Sequence, residues 1–283
     1  MTSAGISLMT DGEIAEKIVE LVAWARQRYA VPEESTGRET CEALGLGLRR
    51  AQLPKGVDGL LTEDRLVVVG TDIAWTSRLE YTIFHEAVHH LLEEHGDLVE
   101  YFTDTLRGDD RAFKAAIERC CQAGAGEFMV PRHRVRECIA RHGFSVDLVE
   151  RLAGRHGASI VASAIQVATY APVDCYVAVC SYGVSPRFWP PNQTLYVDQA
   201  AMRPGMRYPW ARCAPIPPDH LFHRVWENKR RMDGPSFVPF PHSGQRKPCE
   251  HAEAKPLGDR VVGILYDGHP PRKGQLGLNL ALP

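Results

Sequence analysis

From Thr10 to Tyr170 apolar residues recur mostly three and four positions apart, the spacing of helices. Beyond Pro172 they gather in short β-type runs between prolines and glycines. Thr10 and Glu13 have capping-box spacing, and Ile14, Ile18, Leu21, Val22, Ala25 and Tyr29 then share one helical face. A shorter helix is expected over 39–44. Runs at 46–53 and 65–69 are β-type, and GVDGLLTED between them reads as a strand ending in a turn, so 46–70 predicts a small antiparallel sheet. Ser77 and Glu80 repeat the capping-box spacing ahead of Ile83, Phe84, Ala87, Val88, Leu91 and Leu92, and Gly96 suits the position after the helix end. A polar connector over 97–108 leads to a helix that begins near Asp109 and that Pro131 must end. Two or three helices fill 132–170, with turns at Gly143 and Gly157. The best later strands are CYVAVCSYG, QTLYVD, SFVPF and RVVGILYDG, with a helix near 220–232. The fold class is α+β in three parts: 1–131 with helices and a small sheet, 132–172 helical, and 173–283 β-rich.

Composition narrows the class. The 283 residues are 44% hydrophobic and 24% charged, the balance of a globular protein. A formal net charge of −2 argues against a global attraction to nucleic acid or anionic membrane. No apolar run approaches the roughly 20 residues of a membrane span. The N-terminus has neither a basic segment nor a continuous apolar one, so no export signal is read and a cytoplasmic protein is expected. Eight cysteines include no CxxC pair, which fits buried reduced thiols better than a disulfide framework.

The chemistry concentrates in EYTIFHEAVHHLLEEHG. His85, Glu86 and His89 spell H-E-x-x-H, and imidazoles at i and i+4 lie one helical turn apart, where both can ligate one cation. Glu86, about 100° round the axis, is placed to reach a water in the open coordination position rather than the ion. A third protein donor is required, and AAIERCCQAGAGEFMVP offers Glu118 and Glu127. Glu118 is preferred, because Cys121, Gln122, Ala125 and Met129 share its face and small residues there allow close helix approach. Gln122, one turn on, is a candidate to hydrogen-bond a ligand imidazole. Tyr101 and His133 are candidate transition-state stabilisers. Two imidazoles and a carboxylate suit Zn²⁺ first and also accept Mn²⁺. His90 and His95 read as surface or packing residues.

TIFHEAVHHLL followed by ERCCQAGAGEFMVP resembles the ImmA/IrrE family of metallo-endopeptidases. Onto the family pattern, His85, His89 and Glu118 fall as metal ligands and Glu86 as the catalytic base. The second motif departs from the common form, with Cys121 for Ala, Gln122 for Asn and Gly124 for Phe. VERLAGRHGASIVASAIQVATYAP, SFVPFPHSGQRKP and RVVGILYD extend the likeness towards the IrrE-type regulators of radiation and desiccation response in Deinococcus. The resemblance implies a zincin-like HExxH metallopeptidase domain over 1–131, a helix-turn-helix-like bundle over 132–172 and a GAF-like sensor domain over 173–283. It also implies a substrate, a helix-turn-helix transcriptional repressor whose cleavage releases silenced stress-response genes.

A competing reading is a regulator with a structural or sensory metal and a DNA-binding helical region. The Gly157 turn and Ser159 suit helix-turn-helix geometry. However, SIVASAIQVATY has no Lys or Arg and only Gln166 to read a base edge. Arg132, Arg134, Arg136, Arg141, Arg151 and Arg155 on the preceding helices read as a solvated face rather than a phosphate-binding one.

Overall fold

A computed structural model describes residues 9–74, 76–186, 193–206, 210–240 and 244–269, so residues 1–8 of the segment read for an export signal lie outside it. The described residues form nine helices and two sheets, an α+β architecture. They divide into two compact units, 1–131 with 156–158, and 132–155 with 159–283.

The first unit opens with α1 (Asp11–Arg28), whose capping box is complete: Thr10 Oγ1 accepts from the Glu13 N–H, and the Glu13 carboxylate accepts from the Thr10 N–H. Ile18, Leu21, Val22 and Ala25 are its buried face. A second capping box, Thr36 with Glu39, starts α2 (Gly37–Ala43). Three strands follow, β1 (Gly47–Ala51), β2 (Gly59–Leu61) and β3 (Leu66–Gly70), in the order β1-β3-β2. The sheet is mixed, not antiparallel as expected. The β2–β3 hairpin closes at Arg65 in left-handed conformation (φ 58°), while β1 runs parallel to β3 on its other edge. The connection over 52–58 is long enough to carry the chain past β3, so β1 need not pair with β2.

The sheet lies beside α3 (Thr76–His95), which carries the H-E-x-x-H residues. The expected Ser77–Glu80 cap is not formed: Ser77 is inside the helix, and Glu80 instead accepts from the Gly37 N–H at the start of α2. Gly96 (φ 80°) ends α3 as read, but 97–108 is not simply a connector. It holds α4 (Asp97–Thr105), two turns whose buried Leu98 and Phe102 were too few to stand out as a period. The helix α5 (Asp110–Met129) is capped by Asp109, whose side chain accepts from the Ala112 N–H at 2.9 Å.

Further along the chain, α6 (Arg132–His142), α7 (Asp147–His156) and α8 (Ile160–Thr169) are separated at Gly143 (φ 78°) and Gly157 (φ 61°). Ser159 caps α8 by accepting from the Ala162 N–H at 3.0 Å. The sheet comprises β4 (Cys175–Val184), β5 (Gln193–Met202), β6 (Met232–Phe240), β7 (Gln245–Leu257) and β8 (Arg260–Tyr266), all antiparallel in the order β5-β4-β8-β7-β6, with α9 (Leu221–Asn228) packed on it. Neither sequence period announces β7, because Pro248 and Pro256 interrupt a polar run in which Cys249, Ala252 and Ala254 alone turn inward. No helix among the described residues is long and apolar enough to cross a membrane. The eight cysteines are unpaired and seven are buried.

His220 holds this second core together. Its Nδ1 accepts from the Phe222 N–H at 3.1 Å, capping α9, so Nε2 carries the proton and donates to the Phe237 carbonyl at 2.7 Å. The ring is fully buried between Trp210, Phe222 and Phe237, and that burial pushes its pKa down to about 4. Protonation would place a charge among aromatic rings and remove the cap. The unfolded chain takes up this proton near 6.5 and the folded one near 4. Stability is therefore full above pH 6.5 and falls as pH drops towards 4, by about 3 kcal/mol. Urea titrations of wild type and His220→Gln between pH 7 and 4 should show a weaker pH dependence in the variant over that interval.

Candidate metal centre

The helices α3 and α5 pack closely because α5 offers no side chain at the crossing. A Cβ added at Gly124 would sit 2.8 Å from both methyls of Val88, well inside contact distance. Phe84 and Phe128 stack beside the crossing with centroids 5.3 Å apart. This approach brings the middle of α5 to the His85–His89 face of α3. The Glu118 carboxylate spans both imidazoles, with Oε2 3.3 Å from His85 Nε2 and Oε1 3.3 Å from His89 Nε2.

These separations fit a shared ion. A tetrahedral metal with nitrogen and oxygen ligands at their usual distances of roughly 2.0–2.2 Å separates its donors by roughly 3.4 Å. Burial pushes the His85 pKa down, as does neighbouring His89, while Glu118 pulls the other way. His85 is thereby inclined to the neutral form that ligates metal.

Glu86 is held apart from this trio. It points to the sheet side of α3, 7% exposed, where the Leu61 N–H of β2 hydrogen-bonds its carboxylate. Burial, aided by the Glu118 charge, lifts its pKa to about 7 against that hydrogen bond. The sheet comes this close only at a glycine: a Cβ on Gly59 would lie 2.5 Å from Thr82 Cγ2 and 3.0 Å from Glu86 Oε1. The Arg78 guanidinium, bonded to Asp58 (Nε to Oδ2 2.9 Å), fastens the residue just before this strand to α3. His85, Glu86, His89, Glu118 and Gln122 line one cleft of about 670 Å³, together with Tyr81, Glu93 and residues 56–61.

The other sequence candidates fare differently. The Gln122 side chain makes no hydrogen bond to either imidazole; it is the backbone carbonyl that engages, accepting from Tyr81 Oη at 3.5 Å. Tyr101 does not line the cleft, because its hydroxyl accepts from the Met9 N–H at 2.6 Å and its ring packs on Phe102. His133 stands in α6, in the second unit. Glu127 is buried beside Arg26 rather than solvated, and it too is absent from the cleft. His90 is a packing residue: Arg65, which also donates to the Leu44 carbonyl, lies 3.0 Å from its Nε2.

Two cleft residues escaped the sequence reading. Tyr81 precedes His85 by one turn, a spacing that places it on the ligand face; burial lifts its hydroxyl pKa to about 12. Gly59 gave no signal, since its role depends on contact with a helix twenty-odd residues later. Cys121, named on the Glu118 face, does not line the cleft, but its sulfur and one ring nitrogen each of His85 and His89 all lie within 4.8 Å of one another.

Similar proteins include the radiation response metalloprotease IrrE of Deinococcus radiodurans, 25% identical over 227 residues, which are 77% of this chain and 68% of the relative. That of Deinococcus deserti is 26% identical over 231 residues, 80% of this chain and 81% of the relative. The chain is IrrE/ImmA-like. No protein-family model matches it. Among solved structures, a Mycobacterium tuberculosis transcriptional regulator superposes with a TM-score of 0.55 over 92% of this chain and 82% of that one, at 12% identity, a likeness of fold alone. Both IrrE relatives are named metalloproteases, and a metal is the group that two imidazoles facing a carboxylate fit.

The helix crossing yields a direct test. Gly124→Ala should lower stability by about 1–3 kcal/mol, the usual cost of overpacking. It should also weaken metal retention, because any separation of α3 from α5 draws Glu118 off the imidazoles. Thermal melts with and without added Zn²⁺ measure both effects, and the variant should gain less from the metal than wild type does.

Proposed function

We propose that this IrrE-like chain is a metal-dependent endopeptidase with a zincin-like first unit. One observation carries the reading: a single carboxylate engages two imidazoles one helical turn apart, and a second carboxylate occupies the neighbouring wall of the same cleft. His85, His89 and Glu118 would hold the ion, Zn²⁺ by preference and Mn²⁺ as the alternative. When bound, such an ion supplies Lewis acidity for a peptide carbonyl and acidifies a neighbouring water.

The chain's own residues do the rest. Glu86, bonded to Leu61 and raised towards pH 7 in its buried setting, accepts a proton from water on its carboxylate and returns it to the leaving amine. A carboxylate of ordinary acidity would take that proton less readily and release it less usefully near neutrality. Tyr81, in the cleft wall, is a phenol donor better placed than Tyr101 to stabilise developing oxyanion charge. Loop 56–58 and β2 present the cleft with backbone as well as side chains, a surface suited to an extended peptide.

The substrate in this reading is a helix-turn-helix repressor, cut in an exposed segment so that stress and DNA-damage genes are released. The relatives' name, a radiation response metalloprotease, supports that direction. The second unit, with its five-stranded antiparallel sheet and core around Trp210, Phe222 and Val238, would serve as the GAF-like sensor, and the whole protein would act in the cytoplasm. Direct DNA reading by α8 is the weaker alternative, since Gln166 is 3% exposed and no residue of α8 is basic.

Glu86→Gln tests the chemistry. The amide keeps nearly the shape of the carboxylate but cannot take the proton. The purified variant should bind Zn²⁺ as wild type does, while cleavage of a co-incubated repressor falls by about 10²-fold or more. Retained cleavage on a gel would refute Glu86 as the base.

A further inference from the structure

Cys121 is not explained by packing alone. It follows Glu118 by three residues on α5, is fully buried, and has no hydrogen-bond partner for its sulfur among the described residues. Its Sγ and one ring nitrogen each of His85 and His89 all lie within 4.8 Å of one another. Cys120, next in the chain and also buried, is outside that cluster, so burial in α5 does not by itself place a thiol there. The close crossing at Gly124 makes the arrangement reachable. With the helices this near, a side chain as short as cysteine spans from α5 to the imidazoles, whereas Glu118 reaches over them from the cleft with half its side chain exposed.

We propose that Cys121 is a second, inner donor to the metal, so that His85, His89 and the Cys121 thiolate form an alternative ligand set to His85, His89 and Glu118. This rests on the reading of the imidazole pair as a metal site. Zinc bound to sulfur at roughly 2.3 Å and to nitrogen at roughly 2.0–2.1 Å places these atoms roughly 3.6 Å apart. From the 4.8 Å limit of the cluster, that is a closure of about 1.2 Å at most. On ligation the thiol proton passes to solvent and a sulfur–metal bond forms, with no change of oxidation state. The consequence is selectivity. A carboxylate serves Zn²⁺ and Mn²⁺ alike, whereas a thiolate favours the softer Zn²⁺. The two third donors, three residues apart on one helix, would therefore give the site a zinc-specific mode and a metal-tolerant one.

Cobalt(II) substitution of the full-length protein reads this without recourse to activity. Wild type and, more strongly, Glu118→Ala should show a thiolate-to-cobalt charge-transfer band in the near ultraviolet. Cys121→Ala and Cys121→Ser should lose it, and Cys120→Ala should keep it. In competition against a chromophoric chelator, Cys121→Ala should bind Zn²⁺ roughly tenfold or more weakly, with Mn²⁺ binding little changed, while Glu118→Ala should lose Mn²⁺ and retain Zn²⁺. Cobalt bound with only nitrogen–oxygen spectra in both wild type and Glu118→Ala overturns the thiol donor and leaves the peptidase reading standing. A band that survives in Cys121→Ala overturns it as well. Failure of wild type to retain cobalt at all removes the metal site and both readings together. Should the Cys121 variants misfold by circular dichroism, the wild-type and Glu118→Ala spectra decide the matter without them.

Discussion

The centre depends on how closely α5 can approach α3, and that distance is set where Gly124 meets Val88. A residue with any side chain at 124 would have to share the space taken by two valine methyls. Closeness there is what lets one glutamate reach two imidazoles a full turn apart, and a rigid, nearly dry wall follows from the same contact. The neighbouring Phe84–Phe128 stack and the fully buried Ala87 and Ala125 extend it along the helix pair. Packing that excludes water strengthens every electrostatic interaction it surrounds. The apolar flanks of the H-E-x-x-H residues therefore shape the chemistry as well as burying area.

A second close approach works from the other side of α3. Gly59 lets β2 lie against Thr82 and Glu86, and Arg78 ties Asp58 down so that the strand cannot drift away. The helix is thus clamped between a strand and a helix, each meeting it at a glycine. Rotamers at 85, 86 and 89 are constrained by neighbours on both sides, which is what preorganisation requires of a catalytic geometry. The short sheet needs little stability of its own, since α3 covers one of its faces and β3 is buried along four of its five residues.

Much of this was legible in the sequence, for reasons that differ by element. The long helices α1, α3 and α5 announced themselves because many apolar positions repeat in phase and because Thr10, Glu13, Asp109 and Gly96 mark their ends. The pair His85–His89 was legible because its partners are four residues apart, and Glu118 because small residues share its face. Features that depend on distant contact were not. Glu80 could be read as its own helix's cap only until the fold brought Gly37 to it. The parallel pairing of β1, the polar β7 strand and the role of Gly59 are likewise set by neighbours far along the chain. Tyr101 was a plausible phenol by proximity in sequence, yet its hydroxyl is taken by the Met9 amide. Tyr81, on the ligand face by simple helical spacing, could have been found and was not.

The two carboxylates of the cleft show how placement alone divides labour between identical functional groups. Glu118 stands half in solvent, opposite two imidazoles, where its carboxylate is placed to hold a cation. Glu86 stands against β2 with one backbone N–H for support, and burial lifts its affinity for a proton to near neutrality. Each also acts on the other, because the Glu118 charge is part of what raises Glu86. A cation drawn to Glu118 would relieve that repulsion and lower the proton affinity of Glu86 in turn. In the proposed mechanism, Glu86 would then be tuned by the ion beside it. Under the proposed mechanism, exchanging the settings of the two would leave the cation without its anchor and the base too acidic to lift a proton. Helical spacing put the residues in the right order, and the two glycine contacts put them in the right surroundings.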